Sequence, residues 1–416
     1  MIYFSHPVGN ANSRNALKGL SDQDILYRFF TTLAVYPGNV YDRLSRIPGL
    51  NEISKRQFDE RLIKRTTMQP LFEIMRLLSL KLNFTPFTKH EHGVFSVDKV
   101  LERLDRKVAS SILNNSNNTL KAIYAYEDCA LHSFRVANQL GMKKIYDLPI
   151  GYWRAAREFL ENEKERWPEW ASTIPAYKDS DLKLLKKDQE IELADMIFVA
   201  SNFTASTLKK YPKPLNNIHV VPYGFPDVYE GERDYYNGTN RKLKLLFVGS
   251  LSQRKGIADI FSAVEKFENE VTLTLVGKKN TNDCKALNQA LTKHNYIPSL
   301  SLKNILELMR EHDVLLFPSL FEGFGLVITE AMSQGMPVIT TNRTAGPEFI
   351  EDLKNGWLIE AGNTNALIMA IKNILDFPHL LEDIGRSALQ TAKSRPWKSY
   401  SQSLSNSIIM ELSQFQ

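Results

Sequence analysis

The stretch Ser319-Leu-Phe-Glu-Gly-Phe-Gly-Leu-Val-Ile-Thr-Glu-Ala-Met332 constrains this chain most, because it reads as a glycine-hinged loop running straight into a helix. The apolar run Val314-Leu-Leu-Phe317 before it is short enough to be a buried parallel strand, and Pro318 closes it. The helix is expected to begin near Gly325. Glu322 in the loop and Glu330 on the helix have seven residues between them, so both can face one ligand lying across the helix N-terminus. Free N–H groups there, the positive end of the helix dipole, and the close backbone approach that Gly323 and Gly325 permit make a seat for a phosphate. A carboxylate further along can accept hydrogen bonds from a sugar hydroxyl pair. Together these features fit a nucleotide diphosphate. Glu-Gly-x-Gly alone is also the mark of an ordinary strand-loop-helix unit whose glutamates face water.

The rest of the chain supplies the context. Ile2-Tyr-Phe4 reads as a strand, followed by the loop His6-Pro-Val-Gly-Asn-Ala-Asn12 and a helix holding Ala16, Leu17 and Leu20. From Ala122 the pattern is regular. Strands at Ala122–Tyr126, Lys144–Tyr146, Met196–Val199 and Ile218–Val221 alternate with helices from about Cys129 to Leu140, Trp153 to Arg166 and Lys178 to Leu193. Such alternation implies a parallel, doubly wound sheet. Pro222-Tyr-Gly-Phe-Pro226 and the polar segment Glu230 to Arg241 look like a linker, after which Leu243–Val248 opens a second series. Arg254 and Lys255 stand at that strand's carboxyl end, where two cations can neutralise a departing diphosphate.

Residues 20 to 120 are the least readable. Leu62, Met68, Leu71, Ile74, Met75, Leu77, Leu78 and Leu82 recur at near-helical spacing among Arg61, Lys64, Arg65, Arg76 and Lys81. They are read first as a core-facing helix with a solvated face, broken by Pro70, and second as a basic amphipathic surface touching anionic lipid or a lipid-linked acceptor. Asp22-Gln-Asp24 and Asp179-Ser-Asp181 have a metal-binding form but sit where Asp caps helices, and His90 and His92 show no further ligand nearby, so no metal is assigned. His6 is read as structural, and His132 as facing the packing of its helix.

The composition is that of a globular protein, with 43% hydrophobic and 24% charged residues. A net charge of +5 suits phosphate-bearing ligands or an anionic membrane surface and leaves no nucleic-acid footprint. Cys129 and Cys284 alone support no disulfide framework. The opening Met-Ile-Tyr-Phe-Ser lacks the basic start of a signal peptide and no apolar run approaches a membrane span, so the expected location is cytoplasmic.

After Glu322 and Glu330 come Gly335-Met-Pro-Val-Ile-Thr340, Gly346-Pro-Glu348 and Asn355-Gly-Trp-Leu-Ile359. In that order and spacing residues 195 to 400 resemble the retaining glycosyltransferase family 4, including its Glu-x7-Glu signature. The resemblance implies the α/β GT-B fold, two Rossmann-like doubly wound domains facing each other across a cleft. Here these are an acceptor-side domain 1–225, a linker 226–242, a nucleotide-sugar-binding domain 243–394, and a helix 395–416 crossing back to the first domain.

It further implies metal-independent transfer, with retention of configuration, from a UDP- or GDP-sugar to a glycan, glycolipid or small-molecule acceptor. No cofactor is expected, and contact with the inner face of the membrane is a further expectation. By this likeness Gly9, Asn10, Arg254, Lys255, Glu322, Gly323, Phe324, Gly325, Leu326 and Glu330 hold the donor, with Glu330 on the ribose and Glu322 at the sugar. Tyr296 to Leu302 corresponds to the nucleobase region. Many relatives carry a histidine where this chain reads Tyr126-Glu-Asp128, and Glu127 is the first candidate to replace it, joining Glu322, Arg254 and Lys255 as catalytic residues. Asn12, Tyr126, Asp128, Tyr152, Trp153 and Arg154 are acceptor-side candidates, the aromatic pair being equally a core feature. Two other functions fit the same fold: a nucleotide-sugar epimerase, and a non-catalytic nucleotide-sugar-binding protein, the latter because the histidine is missing.

Overall fold

The structure, a computed structural model, describes residues 1–46, 51–115, 119–174, 179–239 and 241–413. Continuous apolar runs bury both faces of parallel strands, and two such sheets form. The first contains β1 (Ile2–Ser5), β2 (Leu26–Thr31), β3 (Thr66–Met68), β4 (Ala122–Tyr126), β5 (Lys143–Leu148), β6 (Met196–Val199) and β7 (Ile218–Val220), in the order β3-β2-β1-β4-β5-β6-β7. The second contains β8 (Leu243–Val248), β9 (Val271–Val276), β10 (Asn295–Ile297), β11 (Val314–Phe317), β12 (Val338–Thr341) and β13 (Trp357–Ile359), in the order β10-β9-β8-β11-β12-β13. Every pairing is parallel, with Val314 opposite Leu245 and Ile2 opposite Ala122. This is the two-sheet GT-B architecture.

Each sheet is laid down outward from its first strand and then resumes on that strand's other side. The direction therefore reverses between β1 and β4 in one domain and between β8 and β11 in the other. Loops leaving the carboxyl ends of two such strands diverge and open a crevice, the usual ligand site of an open α/β sheet. The loops concerned here begin at His6, Glu127, Gly249 and Pro318.

The sequence reading and the structure differ at several points in the first half. Strands β2 and β3 lie in the stretch that carried no clear pattern. In residues 62–82, Pro70 begins a helix, Pro70–Lys81, and does not break one, as its missing N–H costs nothing in the first turn. The core-facing expectation for this helix holds in part: Ile74 and Leu77 pack against the cluster of Leu33, Val35 and Ile53, but its fully buried residues are Glu73 and Ser79. The helix expected from Lys178 begins at Asp181 in the structure, capped by Ser180, and Lys178 lies outside the described residues.

The halves are joined in several places. The helix Trp153–Arg166 starts on the first domain, and its end and the 3-10 turn Pro168–Thr173 reach the second, where Trp170 stacks on Phe261 with centroids 5.6 Å apart. Arg166 donates to both oxygens of Asp259 at 2.6 and 2.8 Å, and the buried Gln253 amide reaches Glu163 at 2.9 Å and Asp259 at 3.1 Å. The last helix, Trp397–Ser413, returns to the first domain, where the Ser401 hydroxyl donates to Asn15 O at 2.8 Å. Where the chain passes between domains, Phe225 N donates to Arg395 O at 2.9 Å.

Candidate active site

After β8 the chain makes a 3-10 turn, Gln253–Lys255, whose start is fixed by the Ser252 hydroxyl accepting from Arg254 N at 3.1 Å. The loop after β11 is drawn onto this turn: Leu320 N and the Ser319 hydroxyl both donate to Arg254 O, at 2.9 and 3.2 Å. The Arg254 guanidinium donates to Phe321 O at 2.7 Å and to the Glu322 carboxylate at 3.2 Å, and the Lys255 ammonium contacts the same carboxylate oxygen. Lys255 Nζ also stands 4.7 Å from the centroid of the Phe317 ring.

Two cations thus share one carboxylate. Burial brings the Arg254 guanidinium down to about 10. Burial and the adjacent guanidinium also favour the neutral amine of Lys255, and the contact with Glu322 opposes them. The cluster is one negative charge short.

Beside it the eight-residue helix Leu326–Ser333 begins, and the amides of Gly325, Leu326 and Val327 have no acceptor among the described residues. Gly325 is at φ 92°, the left-handed region, and a Cβ there would lie 2.8 Å from the Phe317 ring. Open amides, a helix dipole and a surplus cation converge on one spot, which suits a multiply charged phosphate group.

Glu330 lies one turn into this helix. Its carboxylate makes no hydrogen bond or ion pair among the described residues, and burial pushes it up to about 7. The folded chain therefore holds that proton more tightly than the unfolded chain, and the stability this gives is lost as pH rises from about 4.5 through about 7. A ligand whose hydroxyls donate to Glu330 needs the ionised form. Its affinity should rise about tenfold from pH 6 to pH 8, and the rise should vanish in Glu330→Gln; isothermal titration at the two pH values measures this.

The remaining candidates fall into different places. The bareness of Gly323 serves the other domain: a Cβ there would overlap the Pro149 carbonyl oxygen and lie 2.7 Å from Ile150 Cα. The Gly323 carbonyl accepts from the Ser201 and Thr204 hydroxyls at 2.7 and 2.8 Å. Phe324 is buried against Tyr223 and Phe349, so its ring is core and only its backbone faces the crevice loops. Gly9 lies against Phe58, and Asn10 caps the helix Ala11–Asp22 by accepting from Ser13 N at 3.0 Å. Asn12 is buried and donates to the Tyr223 hydroxyl at 3.0 Å, which leaves it no reach toward an acceptor. Buried His6 accepts from Val8 N, and burial holds its pKa at about 3, in keeping with a structural role.

At the end of β4, Tyr126 is buried with its ring 4.4 Å from that of His6. Lys187 Nζ lies 3.4 Å from Glu127, 3.5 Å from Asp128 and 3.5 Å from Asp179. Burial pushes Glu127 up to about 7 against the pull of this lysine. His90, Glu91 and Asp179 also meet, with His90 Nε2 2.9 Å from Asp179, but Lys183 Nζ stands 3.1 Å from the same oxygen, a charge any cation would have to displace.

Tyr152, Trp153 and Arg154 converge on Asp188, all three donating to it at 2.7 Å. Tyr152 is fully buried, so the core alternative holds for it, while Arg154 remains exposed. His132 has its ring nitrogen 3.9 Å from Glu102. Sequence reasoning missed Ser201, Thr204, Lys187 and Asp188. Only Ser201 carried a local signal, as a helix cap, and nothing local connects it to Gly323.

Residues 232–391 match the family model for glycosyl transferases group 1. Among curated proteins, the N-acetyl-alpha-D-glucosaminyl L-malate synthase of Bacillus anthracis is 29% identical over 219 residues, 48% of this chain and 55% of that one. The chain spans about half the length of the curated relatives it matches. Two solved structures share the fold: sucrose-phosphate synthase from Thermosynechococcus elongatus (TM-score 0.67, 16% identity, covering 100% of this chain and 99% of that one), and Anabaena HepE in complex with UDP-glucose (TM-score 0.59, 16% identity, covering 98% and 99%).

Proposed function

We propose that this chain, whose residues 232–391 form a glycosyl transferases group 1 domain on a GT-B fold, moves a sugar from a UDP- or GDP-sugar to a glycan, glycolipid or small-molecule acceptor. The observation that carries the reading is the pair Arg254 and Lys255, with one carboxylate between them, beside the open amides of Gly325 and Leu326. A donor diphosphate supplies the missing negative charge. It competes with Glu322 for both cations and so turns that carboxylate toward the hydroxyls of the donor sugar. Glu330, lacking any other partner among the described residues, accepts from the ribose. HepE, of the same fold, has been solved with UDP-glucose.

Glycosyl transfer depends on stabilising a departing phosphate and an oxocarbenium-like centre. In this reading the bond from the anomeric carbon to the diphosphate oxygen breaks, the acceptor oxygen bonds to the same face of that carbon, and its proton passes to a phosphate oxygen. Configuration is retained and two fixed cations do the work of a metal. Glu127, oriented by Lys187, stands in for the family histidine at the sugar hydroxyls.

Thermal shift against a panel of nucleotide sugars tests the donor site. One donor at 100 times its Kd should add about 2.7 kcal/mol, and Arg254→Ala and Glu330→Ala should lose the gain. No shift from any UDP- or GDP-sugar, or an equal shift in both variants, overturns the assignment. The anomeric configuration of the product, read by NMR, tests retention.

A further inference from the structure

The helix Pro70–Lys81 carries apolar side chains on its solvent side as well as on its packed side. Its buried Glu73 is held by Arg56 at 2.5 Å and by Arg76 at 2.6 and 2.7 Å, and Ile74 and Leu77 pack on a core cluster, while a second set of apolar side chains points outward. Leu71 is 64% exposed, Met75 36%, Leu78 37% and Leu82 60%. These positions step by four, three and four residues, so they form one stripe on a helical surface. Phe84 and Phe87 extend it at 53% and 48% exposure. Single exposed leucines need no explanation, but a contiguous apolar stripe marks an interaction surface.

The charge around the stripe identifies what covers it. Residues 61–107 contain ten Lys or Arg and five Asp or Glu, an excess equal to the +5 of the whole chain. Two of the five acids are buried, Glu73 in its ion pairs and Asp105 accepting from His132 N and Ser133 N. The exposed Lys64, Lys81, Lys89 and Lys107 form no ion pair among the described residues. A second copy of this surface would set basic rim against basic rim, whereas an anionic bilayer takes up the apolar stripe and complements the rim at once. No helix among the described residues is long and apolar enough to cross a membrane, so the contact is with one leaflet.

We propose that the face formed by the helix Pro70–Lys81 and the residues up to Phe87 seats on an anionic lipid surface and thereby brings a membrane-borne acceptor to the cleft. The path to the cleft is short. Just beyond the stripe Glu91 accepts from Ser180 N at 2.8 Å, Asp98 pairs with Lys183 at 2.8 Å, and Lys183 stands 3.8 Å from Asp128 at the carboxyl end of β4. The acceptor clause rests on the glycosyl-transfer reading, and the lipid contact does not.

Flotation of the full chain with vesicles of phosphatidylcholine alone, and of phosphatidylcholine with phosphatidylglycerol, separates the two. The expected result is flotation only with the anionic vesicles. It should be abolished by the pair Leu78→Glu and Leu82→Glu, and reduced about fivefold for each of Lys81→Gln and Lys89→Gln (~1 kcal/mol per lysine near the surface). Melting curves check that the variants fold, and their nucleotide-sugar thermal shift should match the wild type, so failure of the donor site is read separately. Absence of flotation, equal flotation with both vesicles, or flotation retained by the leucine variants overturns the proposal. So does self-association in solution that the leucine variants abolish, since that would make the face an interface between copies.

Discussion

Lys255→Ala should lower kcat by at least about a hundredfold and leave a folded protein. Fixed donors aimed at developing negative charge are worth about 10² to 10³ each in rate when removed singly. Lys255 is held for that task by its neighbours, with Phe317 under its ammonium, Glu322 against it and Arg254 beside it. The variant also removes a positive charge from a buried cluster in which both cations are disfavoured by desolvation. The folding cost should therefore be small, because Arg254 still pairs with Glu322. The split between kcat and Kd decides the role. A purely structural lysine would lower melting temperature and leave kcat near wild type, and that outcome would sink its assignment to the leaving group.

Gly323→Ala should be among the most damaging single substitutions in the chain. The new methyl would meet backbone atoms, the Pro149 oxygen and Ile150 Cα, which cannot rotate away as a side chain can. Relief requires the loop to withdraw from the first domain, which breaks the hydrogen bonds of Ser201 and Thr204 to the Gly323 carbonyl. Overpacking and two lost buried hydrogen bonds together should cost about 3 to 5 kcal/mol. Gly38→Ala is the control: its φ is positive, at 79°, whereas Gly323 is not in the left-handed region, and a Cβ at Gly38 meets nothing within 4 Å, so about 1 kcal/mol is expected. Urea denaturation of both variants makes the comparison. Equal losses would mean that the close seat on Pro149 is not what makes Gly323 irreplaceable.

What could be read in advance follows from how local each feature is. The strands Leu243–Val248, apolar but for Lys244, and Val314–Phe317 are runs closed by glycine or proline, and both stood out. Strands β2 and β3 did not, because Arg28 interrupts β2, and β3, at the sheet edge, is only Thr66-Thr67-Met68 with no turn signal of its own. Arg254, Lys255, Glu322 and Glu330 each belong to one strand-loop-helix unit, so spacing alone could suggest them. The partners of Gly323 come from Pro149, Ser201 and Thr204, more than a hundred residues away. The trio Tyr152, Trp153 and Arg154 was ambiguous for the same reason, since its common partner Asp188 is brought by another helix. The helix Pro70–Lys81 was legible only in part: Ile74 and Leu77 do pack toward the core, but its most deeply buried side chain is Glu73, held by Arg56 and Arg76 from outside the apolar pattern.

The hydrogen bond from Phe225 N to Arg395 O ties the outgoing and returning passages of chain to each other between the domains. Two separate tethers would let the halves slide as well as swing, whereas a bonded pair acts as a single pivot. A swing between the halves would have this crossing as its hinge, and it would have to part the Glu322 loop from Pro149. Registration of the two domains is in that sense a property of the crossing point, which packs through Phe349 onto Phe324 of the candidate site loop.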